Sequence, residues 1–307
     1  MQPIPLLISL LCLFPIFGEA QIPLDIELTP RVQRDRTIDF IYEKRLPGVY
    51  TLYIEFLELE NSQFKTRTFT LDGSRGTLFT LIPNFNDLGI SFRYRFSFLP
   101  GEINPNVDLN YTYLLPFAAD AITSVFEVTD NLAFHFGQNL PENRKSYRFV
   151  TEENTVYATR AGTVINVEDK FSNPDPLLEN TSVQNEIVVL HEDGSRATYR
   201  GFVQGGVFCK IGDEIIPGQE LGLIGDASTT NQLIFMVYYL TDFDFSENEG
   251  RLIAPLSSYS YLEPQFLTEV GGSTALDHGQ SYVSSWSDEV ITAEMSRREK
   301  RRYLSNR

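Results

Sequence analysis

The chain has 307 residues, 42% of them apolar and 13% aromatic, enough to bury the cores of two ordinary domains and too apolar to stay disordered. Its formal net charge of −16 argues against nucleic acid and against anionic membrane surfaces as partners. Of its two cysteines, Cys12 lies in the apolar leader. Cys209 therefore has no internal disulfide partner, and a small buried apolar role is its ordinary reading.

Leu6–Phe17 (LLISLLCLFPIF) is apolar, and Gly18-Glu19-Ala20 puts small residues at the two positions a signal peptidase reads. Residues 1–20 therefore read as a signal peptide, although the opening MQPIP lacks Lys and Arg. A transmembrane anchor is the competing reading, but the run is too short to span a bilayer. No later segment is apolar for long enough to do so. Cys12 is not preceded by the small residue of a lipoprotein signal, so the chain reads as exported, without a lipid anchor.

Residues 21–140 read as an N-terminal β-sandwich domain. Val49–Leu57, Phe64–Leu71, Thr77–Ile82 and Ile90–Leu99 are rich in aromatic and β-branched residues. Several alternate apolar with polar, as strands with one wet face require. Turn sequences separate them at Asp72-Gly73, Asn84–Asp87 and Pro100–Glu102. His135 lies here, in the alternating run Leu132–Phe136, with no cluster of acids at ligand spacing around it. A binding or positioning module is the natural role.

The polar stretch Gln138–Tyr147 marks a boundary, and residues 141–245 read as a second β domain. The connection Asp169–Gln184, with two prolines, is expected to be an exposed loop. Residues 246–307 read as an irregular tail ending in a helix over Ser287–Leu304, capped by Ser287 with Asp288 and Glu289 in its first turn. The basic run Arg297–Arg302 reads as a solvated helix end, with a docking site as the alternative.

Within the second domain, VYATRAGTVINVED from Val156 places Gly162 at a close approach between strands. NEIVVLHEDGSRATYRGF from Asn185 carries Asp193-Gly194 as a hairpin turn. In GGVFCKIGDEIIPGQELGLIG from Gly205, Gly212, Asp213, Gly218, Gln219 and Gly222 mark strands joined by glycine corners. These features predict a small, closed antiparallel β-structure. Over about 85 residues this order of motifs resembles the lysostaphin/LytM-type zinc endopeptidases that cut peptidoglycan. The resemblance implies their duplicated hybrid-motif fold. Biotinyl and lipoyl carrier domains also use such glycine corners, but they need a lysine at a hairpin tip, and Lys210 is not expected to occupy one.

The family holds zinc with a His and an Asp near the domain start and the second His of H-L-H-F. Further histidines, in Y-x-H-L and at the first position of H-L-H-F, assist with water. Here Gly201 stands in Tyr199–Phe202 where Y-x-H-L has its His. Gln232 and Ile234 replace both histidines in Gln232–Phe235, and Gln138–Val150 contains no His or Asp. Zinc needs three N, S or O ligands, and neither glycine nor isoleucine supplies one. His191 matches a family strand position that is not a ligand, and His278 falls on none. The resemblance therefore implies no catalytic residue, no metal and no cofactor.

It also implies a degenerate groove near Gly201, Gln232 and Ile234. On this reading the protein is a non-catalytic cell-envelope binding or scaffolding protein, periplasmic or associated with an outer-membrane complex. Its partners would be envelope proteins, or peptidoglycan or a peptide. Two alternatives stand beside it. One is an active hydrolase using an unrecognised metal site or Cys209 with His191, and the other is a peptidoglycan-binding module. The sequons at Asn110 and Asn180 matter only in a host that glycosylates, and the resemblance points to bacteria.

Overall fold

The computed structural model describes residues 26–65, 67–128, 141, 143–172, 184–225, 230–243, 245, 256–270 and 272–305. The signal peptide expected over 1–20, His135 and the sequon at Asn180 lie outside the described residues, as does most of the connection 169–184.

The strands between Ile26 and Pro100 form two three-stranded sheets. One has the order β1-β2-β5, from Ile26–Val32, Ile38–Lys44 and Arg75–Leu81; the other has the order β4-β3-β6, from Thr68–Leu71, Tyr50–Glu60 and Ser91–Pro100. Strict alternation drives the packing. Along β2, Ile38, Phe40 and Tyr42 point inward and are buried, and Leu52 and Ile54 do the same on β3. The rings of Phe40 and Phe79 stack at 4.5 Å, with Phe56 edge-on to Phe40 at 5.7 Å. Each such aromatic contributes about 1.5–3 kcal/mol by leaving water. β1 and β2 were not expected from sequence; the other four strands were.

Nine further strands build one large sheet. Its order is β14-β11-β12-β13-β16-β9-β8-β20, from Glu214–Ile215, Gly162–Glu168, Glu186–Leu190, Arg196–Arg200, Asn231–Leu240, Tyr147–Thr151, Ile122–Glu127 and Ser281–Val283. β17 (Tyr259–Tyr261) pairs with the far end of β16. The sheet is an open path with edges at β14 and β20, where a closed structure was expected. Gly162 behaves as predicted, since a Cβ there would lie 2.4 Å from the Leu190 carbonyl oxygen.

Two small sheets complete the fold. β10 (Thr155–Tyr157) pairs with β15 (Glu220–Leu223). β18 (Gln265–Thr268) pairs with β19 (Gly272–Thr274) and, in parallel, with β7 (Thr112–Leu114). One face of the large sheet buries Tyr147, Phe149, Tyr199, Leu233 and Phe235 against Phe117, Phe202 and Phe266.

β8, which precedes the stretch Gln138–Tyr147, pairs with β9, which begins at Tyr147, along Thr123↔Thr151 to Glu127↔Tyr147. The tail read as irregular supplies β17 to β20 and two helices instead of one, α1 (Asp288–Ile291) and α2 (Arg297–Ser305). Ser287 caps α1 as predicted, its Oγ accepting from the Val290 N–H at 3.2 Å. The second helix has its own start: the Ser296 N–H donates to Glu299 Oε2 at 2.9 Å and the Glu299 N–H to Ser296 Oγ at 3.4 Å, a reciprocal capping box. No helix among the described residues is long and apolar enough to cross a membrane.

Candidate functional site

The period of two along β16 separates core from site. Leu233, Phe235 and Val237 enter the core, so Gln232, Ile234 and Met236 stand on the opposite face. Cross-strand register then lays out one row over five strands: Glu186 opposite Arg200, Arg200 opposite Ile234, Ile234 opposite Arg148, and Arg148 opposite Phe126. Gln232 lies diagonally from Arg148 on the same face, within reach of a long side chain.

Gly201, Gln232 and Ile234 are thus brought together. Ile234 is 1% exposed, clustered with Met236 and Tyr261. Gly201 has φ +115°, and a Cβ added there would lie 2.8 Å from the Gln232 carbonyl oxygen. No side chain enters without moving backbone. Among the described residues, no group of three or more His, Cys, Asp or Glu is placed to hold a metal ion. Ile234, at the position where the resemblance places a ligand, is a buried alkyl side chain and offers zinc no donor.

Sequence reading missed the two arginines of the row. Arg200 Nε donates to Glu186 Oε2 at 2.7 Å. Arg148 instead lies over the Phe126 ring, 5.1 Å from its centroid, and its buried Nε finds no acceptor. Gln232 Oε1 is also buried and accepts no hydrogen bond. The signal was present in Ser146–Val150, where Tyr147 and Phe149 alternate with Arg148.

The remaining candidates lie elsewhere. His191 is buried, with Nδ1 2.7 Å from the Ala161 carbonyl oxygen. Burial first, then the nearby Arg160 cation, hold its pKa far below the usual histidine value. Cys209 is buried in the core, and burial, with Asp213 adding, pushes its thiol up to about 11, so it stays protonated and inert. His278 packs edge-on against Phe126 at 5.8 Å and accepts the Glu127 N–H through Nδ1 at 3.1 Å. Lys210 opens a four-residue turn closed by the Asp213 N–H on its carbonyl oxygen. Ile211 and Gly212 form its tip, and Lys210 stands before it.

Beside His191 lies a buried cluster with no counterpart in the sequence reading. Arg160, 2% exposed, donates to Asp193 Oδ2 at 2.8 Å and to Glu294 Oε1 at 2.6 Å, and stacks 3.9 Å from the Tyr111 centroid. Burial pushes the Asp193 pKa upward. The Ser195 hydrogen bond and the Arg160 charge outweigh it and hold the carboxyl below 3.8. An open cleft of about 1450 Å³ adjoins this cluster, lined by Lys44, Pro47, His191, Ile211, Glu294 and Arg302 among others. It lies away from the row around Ile234.

No protein-family profile and no curated protein matches the chain. Among solved structures it is similar to pseudoalterin, a deep-sea M23 metalloprotease, at 15% identity and TM-score 0.30, over 58% of this chain and 96% of that one. It is also similar to Csd3 of Helicobacter pylori at 12% identity and TM-score 0.29, over 91% and 79% of the two chains. For lysostaphin the values are 20% identity and TM-score 0.25, over 48% of this chain and 51% of that one. Global superposition is loose in all three.

Proposed function

We propose that this chain is a degenerate relative of the lysostaphin/LytM endopeptidases. In this reading it is exported to the cell envelope and acts there by binding, as a subunit or regulator of an envelope complex, without cleaving peptide bonds. The observation that carries the reading is Ile234, a buried alkyl side chain where the family places a zinc-binding histidine. Gly201 adds to it, because the backbone of Gln232 leaves no room there for an imidazole. Without a metal, neither the polarised amide nor the acidified water of such an enzyme is available. What remains at that position is Ile234 packed with Met236 and Tyr261, with Arg148 and Arg200 opposite it on the neighbouring strands.

Elemental analysis of the purified protein after zinc supplementation tests this. Zinc well below one per chain is expected, together with no release of peptides from peptidoglycan. About one zinc per chain, removable by chelator and accompanied by cleavage, overturns the proposal. Sedimentation with purified sacculi then separates a peptidoglycan ligand from a protein partner.

A further inference from the structure

We infer that the cleft between the N-terminal sheets and the C-terminal helices binds a basic, apolar peptide segment of a partner protein. This cleft lies away from the row around Ile234, and the inference neither needs nor tests the non-catalytic reading. Three parts of the chain remote in sequence wall it: the connection between β2 and β3 at 44–49, the glycine corner around Gly212, and the helical tail from Ile291 to Tyr303. Its volume of about 1450 Å³ exceeds the roughly 300–1,000 Å³ of an ordinary small-molecule pocket. It therefore has room for several residues of a chain. Part of the lining stands in water and is apolar: Ile211 is 50% exposed and Ile216 39%, on either side of the exposed Glu214. Leu46, Met295 and Tyr303 are half-buried around the same space. This is an apolar set gathered at one place, unlike residues scattered singly over a surface.

The charge of the ligand follows from the charges of the lining. Six acids, Asp72, Glu102, Glu192, Glu214, Glu294 and Glu299, stand against three bases, so the cleft is anionic. Two of the bases are already engaged: Lys44 donates to the Gly48 carbonyl oxygen, and Arg45 pairs with Glu27. Among the acids, Glu294 belongs to Arg160 and Glu299 to its capping box. Glu102, Glu192 and Glu214 are exposed and make no ion pair among the described residues. Glu299, Arg302 and Tyr303 share the face of α2 that lines the cleft, and the helical period puts Arg297 and Arg301 on the opposite face. His191 in the floor is kept neutral by burial and the Arg160 cation, and its Nε2 makes no hydrogen bond. The net charge of −16 steers cations toward such a cleft. A ligand that answers both features carries apolar side chains for Ile211 and Ile216 and cationic ones for Glu192 and Glu214. These two acids lie two strands apart, because Glu214 stands opposite Thr163, Thr163 opposite Leu190, and Glu192 follows two residues on. At about 5 Å per strand their separation is on the order of 10 Å, which two basic side chains of one short segment span. A polyamine brings no apolar side chain, and an anionic polymer is repelled.

Titration of the full chain into a fluorescently labelled Leu-Lys-Leu-Leu-Lys-Leu amide, read by anisotropy, tests the site. This peptide is expected to bind at least about tenfold more tightly than its glutamine-for-lysine form and than its serine-for-leucine form, since two ion pairs and two apolar contacts each weigh about that much. Added salt should weaken it toward the glutamine form. Glu192→Gln with Glu214→Gln, both at exposed positions, should abolish the preference for lysine. Ile211→Ser with Ile216→Ser should abolish the preference for leucine. Glu60→Gln with Glu152→Gln makes the same change of net charge at exposed positions away from the cleft and should leave binding unchanged. Glu60 ends β3 at the end remote from Val49, and Glu152 follows β9, five strands from β14. Absence of binding, equal binding of the three peptides, a lysine preference that survives the change at Glu192 and Glu214, or one that the control pair removes equally each overturns the inference.

Discussion

Replacing Arg160 by Met removes the cation held between Asp193 and Glu294. The side chain is 2% exposed, and the two carboxylates it neutralises are themselves only 11% and 17% exposed. Methionine fills much of the volume, so the loss is electrostatic first. Stripping one partner from a buried ion pair costs about 3–5 kcal/mol, and the lost stacking on Tyr111 adds about 1 kcal/mol. Taking about 4 kcal/mol and a urea dependence of about 3 kcal/mol/M, the unfolding midpoint should fall by more than 1 M.

The single tryptophan, Trp286, is a local probe for this measurement. Its Nε1–H donates to the Phe117 carbonyl oxygen, and its ring meets Tyr157, so its fluorescence follows the part of the molecule that contains Arg160. The pH dependence has a definite sign. In the wild type the depressed Asp193 pKa contributes stability that is present above 3.8 and lost as pH falls through the lower folded value. In the variant the same carboxyl has lost its cation, its pKa rises, and protonation relieves it first. The stability gap between the two proteins should therefore narrow from about pH 7 to about pH 4. A midpoint shift under about 0.3 M at neutral pH, or a gap that widens on acidification, would refute the assignment of Arg160 as the neutralising centre of the cluster.

Two further outcomes follow from the site. Gly201→His should destabilise the fold by about 1–3 kcal/mol, since it combines a left-handed backbone with a 2.8 Å approach to the Gln232 carbonyl; a rise in thermal midpoint would contradict the geometry. Cys209, buried and with its thiol pushed up to about 11, should resist an aromatic disulfide reagent at neutral pH in the folded protein and react fully in urea.

The strands that carry the resemblance were legible because alternation and glycine corners are local signals. Gly212 and Gly218 both adopt the left-handed backbone that their spacing suggested, with φ +94° and +80°. What was not legible depends on distant pairing. β7 and β18 lie side by side in parallel, Phe266 opposite Tyr113, and nothing in either segment names the other. The same holds for β8, whose partner β9 lies beyond the polar stretch that was read as a boundary. The chemistry of the groove divides in the same way. That Gly201, Gln232 and Ile234 share a place was readable from motif order. That Arg148 stands beside them required the register of β9 on β16. The capping box Ser296–Glu299 was readable and was missed, because the helix expected to run on from Ser287 covered it.

The pairing of early with late segments also sets a timetable for synthesis. The two three-stranded sheets hold all their strands by Pro100 and can close while the rest is still being made. The large sheet cannot. Ser284 Oγ reaches back to the Phe117 carbonyl across 167 positions, and Glu294 returns to Arg160 across 134. At about 5–20 residues per second the ribosome needs on the order of ten seconds to span the first gap. For that interval β8 lacks its outer neighbour and the Arg160 charge lacks one of its counterions. The second half of the molecule is thus a late-completing unit, whose half-made sheet is exposed for longer than that of the module made before it.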